Sequence, residues 1–108
     1  EEVITELCVL RLGALAVVIF PGEPFVDYAL YFKKRCNKKQ GNTPVLVLAY
    51  GNDNPGYLPT AQAYEEGGYE VADAFTFYGL PAPFTPALEP TLQAAMTTLL
   101  KEVGVACL

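Results

Sequence analysis

The spacing of apolar residues changes period three times along the first half of the chain. Val3 to Leu10 carries aliphatic and β-branched residues in partial alternation, which predicts a strand. Leu12-Gly13 supplies a turn, and Ala14 to Phe20 is a continuous apolar run rich in valine and isoleucine. Such a run predicts a strand covered on both faces, so the two segments predict a hairpin whose second strand lies deep in a sheet. Pro21-Gly22 breaks the run. From 24 to 38 the period lengthens: Phe25, Tyr28, Ala29, Phe32 and Cys36 recur at helical spacing, with charges gathered towards the end. Pro24 suits a first helical position and Glu23 suits the positive end of a helix. Gln40-Gly41-Asn42 ends the helix, and Pro44 to Ala49 is a third short apolar run. Strand, helix and strand in that order predict a parallel crossover.

The second half is punctuated more heavily. Glycine, asparagine and proline crowd residues 50 to 60, predicting a long loop with defined turns. Thr60 is placed to cap a short helix through Glu66, which Gly67-Gly68 terminates. Tyr69 to Tyr78 is expected to be extended, and the prolines between Gly79 and Pro86 require irregular backbone. Pro86 to Val103 predicts the last helix, its true start shifted to between 88 and 91 by Pro90. The fold class is therefore α/β: a small mixed sheet with a strand–helix–strand unit and a C-terminal helix, all in one domain over 1–108.

Composition narrows the function. The 108 residues are 52% hydrophobic and 18% charged, enough apolar surface to offset chain entropy. A mean hydropathy of +0.24 is high for a small soluble monomer. Either the sheet is buried on both sides, or part of the apolar surface belongs against a partner, and a homo-oligomer is one way to cover it. The net charge of −5 argues against a nucleic-acid partner. The basic cluster Lys33, Lys34, Arg35, Lys38 and Lys39 falls where cations complement a helix C-terminus. No apolar stretch reaches the ~20 residues that a bilayer crossing needs. The chain opens on Glu1-Glu2 rather than Met and enters an apolar segment almost at once, which suggests a piece of a longer protein. Cys8, Cys36 and Cys107 are odd in number and contain no C-x-x-C pair, leaving room for one disulfide and a free thiol. The chain has no histidine. Any serine triad, cysteine–histidine pair or histidine base must come from outside it.

Two loops follow apolar strands: Phe20-Pro21-Gly22-Glu23-Pro24-Phe25, and Tyr50 through Thr60. Beside parallel strands both emerge at the C-terminal edge, where ligands bind in α/β sheets, so a carboxylate and a tyrosine can converge there. Taken alone, Glu23 equally fits a helix-start carboxylate, and Tyr57 a ring packed over a Gly-Pro turn. The spaced set Pro21-Gly22-Glu23, Asn52 to Tyr57, Thr60, Tyr64 and Tyr69-Glu70 resembles the neutral/alkaline (non-lysosomal) ceramidase family, over roughly residues 9 to 79.

The resemblance implies a C-terminal fragment of a larger catalytic domain. That family hydrolyses the amide of ceramide with one zinc held by two histidines, a glutamate and a tyrosine. By the motif match, Glu23 and Tyr57 are the implied metal ligands, and Tyr69 the implied donor to the substrate carbonyl or its oxyanion, where amide hydrolysis builds negative charge. The substrate in a longer parent would be an N-acyl amide or a ceramide-like lipid. The histidine ligands lie in a region that this chain does not contain. Glu23 and Tyr57 supply two oxygen donors, too few for tight zinc, so zinc is expected in the parent and not in this chain. The competing expectation is a free-standing, non-catalytic α/β domain that binds a protein or small ligand and self-associates.

Overall fold

The computed structural model describes residues 3–36 and 43–107. Strands β1 (Cys8–Leu12), β2 (Leu15–Ile19) and β4 (Val45–Leu48) form one sheet in the order β1-β2-β4. β1 pairs with β2 antiparallel, and β2 with β4 parallel, so the sheet is mixed. Helix α1 (Val26–Cys36) is the crossover. The short strands β3 (Glu23–Pro24) and β5 (Tyr57–Leu58) pair in parallel as a second, two-stranded sheet. Helices α2 (Ala61–Glu66) and α3 (Tyr69–Ala72), a 3-10 turn (Ala74–Tyr78) and α4 (Leu88–Glu102) complete the chain. The α/β fold with a C-terminal helix is the one that the apolar pattern predicts. None of the described helices is long and apolar enough to cross a membrane.

Both long helices lie on one face of the sheet. α1 turns Tyr28, Phe32 and Cys36 inward and α4 turns Leu92, Met96 and Leu100 inward, at the 4-residue spacing that keeps side chains on one face. They meet Ala16, Val18, Phe20 and Val45 of the sheet and its flank in one core cluster. Phe32 is fully buried, and truncating such a ring to alanine costs about 3–5 kcal/mol. Asp27 in the first turn of α1 and Lys33, Lys34 and Arg35 in the last suit the helix dipole. Lys38 and Lys39 lie outside the described residues. A disulfide joins Cys36, at the end of α1, to Cys107, and Cys8 is free. Beyond the end of α4 Gly104 takes a positive φ, and the Val105 N–H donates to the Leu100 carbonyl at 2.9 Å. Arg11 of β1 closes the same end: its guanidinium donates to the Val103 carbonyl at 2.8 Å.

Several expectations need correction. Residues 3–7 pair with nothing regular, and the first strand is the shorter Cys8–Leu12. Glu23–Pro24 joins a strand instead of opening the helix, because the Glu23 and Phe25 N–H groups are taken by the Gly56 and Leu58 carbonyls. Thr60 stands at the N-cap of α2 without a side-chain cap; the Glu89 carboxylate of α4 accepts from Ala61 N–H at 3.1 Å instead. Tyr69 to Tyr78 is helical and 3-10, not extended. Gly68, at φ 119°, lets the chain re-enter a helix directly after α2 has ended.

The expectation that the second strand lies deep in the sheet holds, since every residue of β2 is buried or half-buried on both faces, while its neighbours β1 and β4 expose their outer face. Alternation places Cys8, Leu10, Leu12, Leu15, Val17, Ile19, Leu46 and Leu48 on the side of the sheet away from the helices. Leu10, Leu12, Leu46 and Leu48 are 42–62% exposed there. Val17 is nearly buried, since its register partners Leu10 and Leu46 flank it on both sides.

Candidate functional site

The two candidate loops converge. Glu23 of β3 and Tyr57 of β5 are direct register partners, although 34 positions apart, and the Glu23 N–H donates to the Gly56 carbonyl at 2.9 Å. Gly22 makes this approach possible: its φ is +146°, and a β-carbon there would run into the Gly56 carbonyl oxygen. The turn before β5 is pinned by Asn54, whose side-chain oxygen accepts from Gly56 N–H at 3.3 Å. Beneath the pair, the buried Tyr28 hydroxyl donates to the Pro59 carbonyl at 2.8 Å and ties α1 to the strand carrying Tyr57.

Tyr50 and Tyr57 lie beside the Glu23 carboxylate, and further aromatic rings pack against Tyr57. The Tyr57 and Tyr69 rings meet edge to face at 6.2 Å, and Tyr69 leans on Phe77 at 6.1 Å. Both the 3-10 turn and α3 are needed for this, which is why an extended reading of 69–78 could not have shown it. The charge of Glu23 raises the Tyr57 phenol above its usual range, with burial and the neighbouring Tyr78, Tyr69 and Glu70 adding to the effect. Tyr50 feels the same carboxylate more strongly, and a hydrogen-bonding interaction with Glu23 pushes its phenol up to about 12. Tyr50 sits at φ 57°, a left-handed conformation that a bulky residue seldom adopts. Its backbone is held there by the Tyr50 N–H to Gly22 carbonyl bond at 2.9 Å.

Glu23, Tyr57 and Tyr69, the residues singled out by the motif match, thus lie together. Tyr50 and Tyr78 belong to the same cluster, and sequence spacing had not selected them. The usable signal for Tyr50 was an aromatic directly after a buried strand, at the edge where α/β sites form. Tyr64 stands behind the site, where burial raises its phenol. It lines a small cleft of about 20 Å³ with Gly56, Tyr57, Glu70 and Tyr78, room for about one water. Pro55 and Phe84 border that cleft and also a wider apolar groove of about 340 Å³, formed with Leu58, Leu88 and Leu92.

The donor set is incomplete for zinc. Among the described residues no three His, Cys, Asp or Glu side chains gather closely enough to hold a metal. Glu23 and Tyr57 supply two oxygen donors, which do not make a tetrahedral site by themselves. What the cluster offers alone is a carboxylate acceptor among phenolic donors. Comparison with known proteins returns no match to a family model, a curated protein or a solved structure.

Proposed function

We propose that this chain is part of a ceramidase-like amidase acting on an N-acyl amide, and that it contributes one half of the active site. The observation that carries the reading is the pairing of Glu23 with Tyr57 and the packing of Tyr69 against Tyr57. In this reading Tyr69, 46% exposed, aims a hydroxyl at the substrate carbonyl oxygen, where it stabilises developing negative charge. Glu23 orients the Tyr57 and Tyr50 phenols by accepting from or attracting their hydroxyl hydrogens. The apolar groove beside the cluster suits an acyl chain, being within the ~300–1,000 Å³ of small-molecule sites. The imidazole ligands come from a part of the polypeptide other than this segment.

The test compares two proteins on a fluorogenic acyl amide: this chain, and a longer polypeptide that contains it together with a histidine pair. The chain is expected to be inactive. The longer polypeptide is expected to turn over substrate and to lose most of that activity on Glu23→Ala or Tyr57→Phe. Full activity in Glu23→Ala would overturn the assignment.

A further inference from the structure

We propose that Tyr50 is a positioning residue for Glu23: the strained turn over Tyr50, Gly51 and Asn52 sets a phenol hydroxyl against the carboxylate and holds that side chain in one rotamer. The inference concerns the same cluster as the amidase reading, but it stands on the geometry of the turn and is tested without turnover.

Three consecutive residues make special demands on the backbone. Tyr50 at φ 57° and Asn52 at φ 67° are the non-glycine residues with positive φ among the described residues. Between them, Gly51 has no room for a β-carbon, which would run into the Ile19 side chain. Asparagine visits the left-handed region readily, and here its amide is pinned as well, donating to the Glu6 carboxylate at 2.9 Å across 46 positions. Tyrosine is disfavoured in that region and persists there only where its surroundings over-determine it. Those surroundings are two crossed backbone bonds. The Tyr50 N–H donates to the Gly22 carbonyl and the Gly51 N–H to the Phe20 carbonyl, both at 2.9 Å. The chain leaving β4 therefore turns back over the loop that leads into Glu23.

Packing does not account for a tyrosine at this position, since its ring is 53% exposed. Its hydroxyl instead hydrogen-bonds the Glu23 carboxylate, whereas Tyr57, the strand partner of Glu23, feels that carboxylate chiefly through its charge. A tyrosine hydroxyl rides on a rigid ring with few torsions, while a glutamate carboxylate ends a flexible chain. With the Tyr50 backbone fixed by the crossed bonds, the phenol is the stationary partner and the carboxylate is the one held. The carboxylate then offers its remaining acceptor positions in one orientation to whatever the site binds.

Scalar couplings across the Glu23 side-chain torsions, measured by NMR on this chain, test the proposal. The parent is expected to show the couplings of a single rotamer. Tyr50→Phe keeps the ring and the turn, and is expected to bring those couplings to a rotamer average with the urea midpoint unchanged. Tyr57→Phe leaves the Tyr50 hydroxyl in place and is expected to keep the single rotamer. Averaged couplings in the parent, unchanged couplings in Tyr50→Phe, or equal averaging in Tyr57→Phe would each overturn the assignment. Tyr50→Asn suits the left-handed backbone without supplying a phenol. It is expected to release the Glu23 side chain too, yet to unfold at no lower urea concentration than the parent. A clearly lowered midpoint in Tyr50→Asn would make the ring a packing element and overturn the strain argument. Enzymatic activity enters none of these measurements, so an inactive longer polypeptide would count against the amidase reading and leave this result standing.

Discussion

Tyr28 and Pro59 hold the candidate site to the body of the protein through one buried hydrogen bond, hydroxyl to carbonyl, at 2.8 Å. Tyr28→Phe keeps the ring in the core and leaves the Pro59 carbonyl without its partner. The expected loss is about 1–3 kcal/mol, the cost of an unsatisfied buried acceptor, read as a lower urea midpoint at unchanged slope. Burial, with Glu89 and Tyr64 adding, raises the Tyr28 phenol well above its ordinary value. The folded protein thus keeps a proton that the unfolded chain gives up above pH ~10, so this contribution to stability is complete below that pH and fades as pH rises past it. Tyr28→Phe is expected to flatten the alkaline arm of the stability curve. An alkaline arm unchanged by the substitution would show that Tyr28 does not control it.

Gly22→Ala tests the junction between β3 and β5. The new β-carbon meets the Gly56 carbonyl and the residue must hold a positive φ, so a loss of about 1–3 kcal/mol is expected. Gly13, also at positive φ but with open space around it, serves as the control. Gly13→Ala is expected to cost less, since only the backbone penalty applies. Equal effects at the two positions would argue against the close approach at Gly22.

Glu23→Gln removes the charge that hinders two phenols from ionising. Tyr50 and Tyr57 are both expected to titrate at lower pH in the variant, and the alkaline ultraviolet titration should shift downward for two of the seven tyrosines. Superimposable curves for variant and parent would separate Glu23 from both hydroxyls.

Zinc alone is not expected to complete the site. Calorimetry of this chain should detect no tight zinc binding at the Glu23–Tyr57 pair, and zinc should confer no amide turnover. Zinc-dependent turnover by these 108 residues would show that the half-site view is wrong.

Reduction of the Cys36–Cys107 bridge frees a 71-residue loop in the unfolded chain. Loop entropy places the expected loss at about 4 kcal/mol, measured by urea unfolding with and without reductant. A midpoint that reductant leaves in place would mean that the bridge adds nothing to the fold's stability.

The sheet, the crossover and the last helix were legible because their apolar periods are long and their breakers are strong. Phe25 to Cys36 could only bury one stripe by being helical. The convergence of Glu23 and Tyr57 was legible from edge geometry, and Tyr69 from the motif resemblance alone. What escaped was decided by tertiary contacts. Glu23-Pro24 reads locally as a helix start, and only its pairing with Tyr57-Leu58, across 34 positions, makes it a strand. Tyr69 to Tyr78 is rich in aromatic and β-branched residues, yet burial of Val71 and Ala74 selects a helical path. The Tyr50 conformation depends on a bond to Gly22 that no local pattern encodes. The continuous apolar run of β2 reports its burial on both faces, whereas the exposed outer leucines of β1 and β4 lie in runs whose pattern did not mark them.

The bond from Arg11 to the Val103 carbonyl joins the first strand to the last helix across 92 positions. On a ribosome, β1 and β2 leave the exit tunnel long before α4 exists, and the inner side of the hairpin must wait for Leu92, Met96 and Leu100. A nascent chain stalled near residue 85 therefore lacks the part of that inner cover that α4 supplies. That interval closes when the arginine reaches the end of the finished helix.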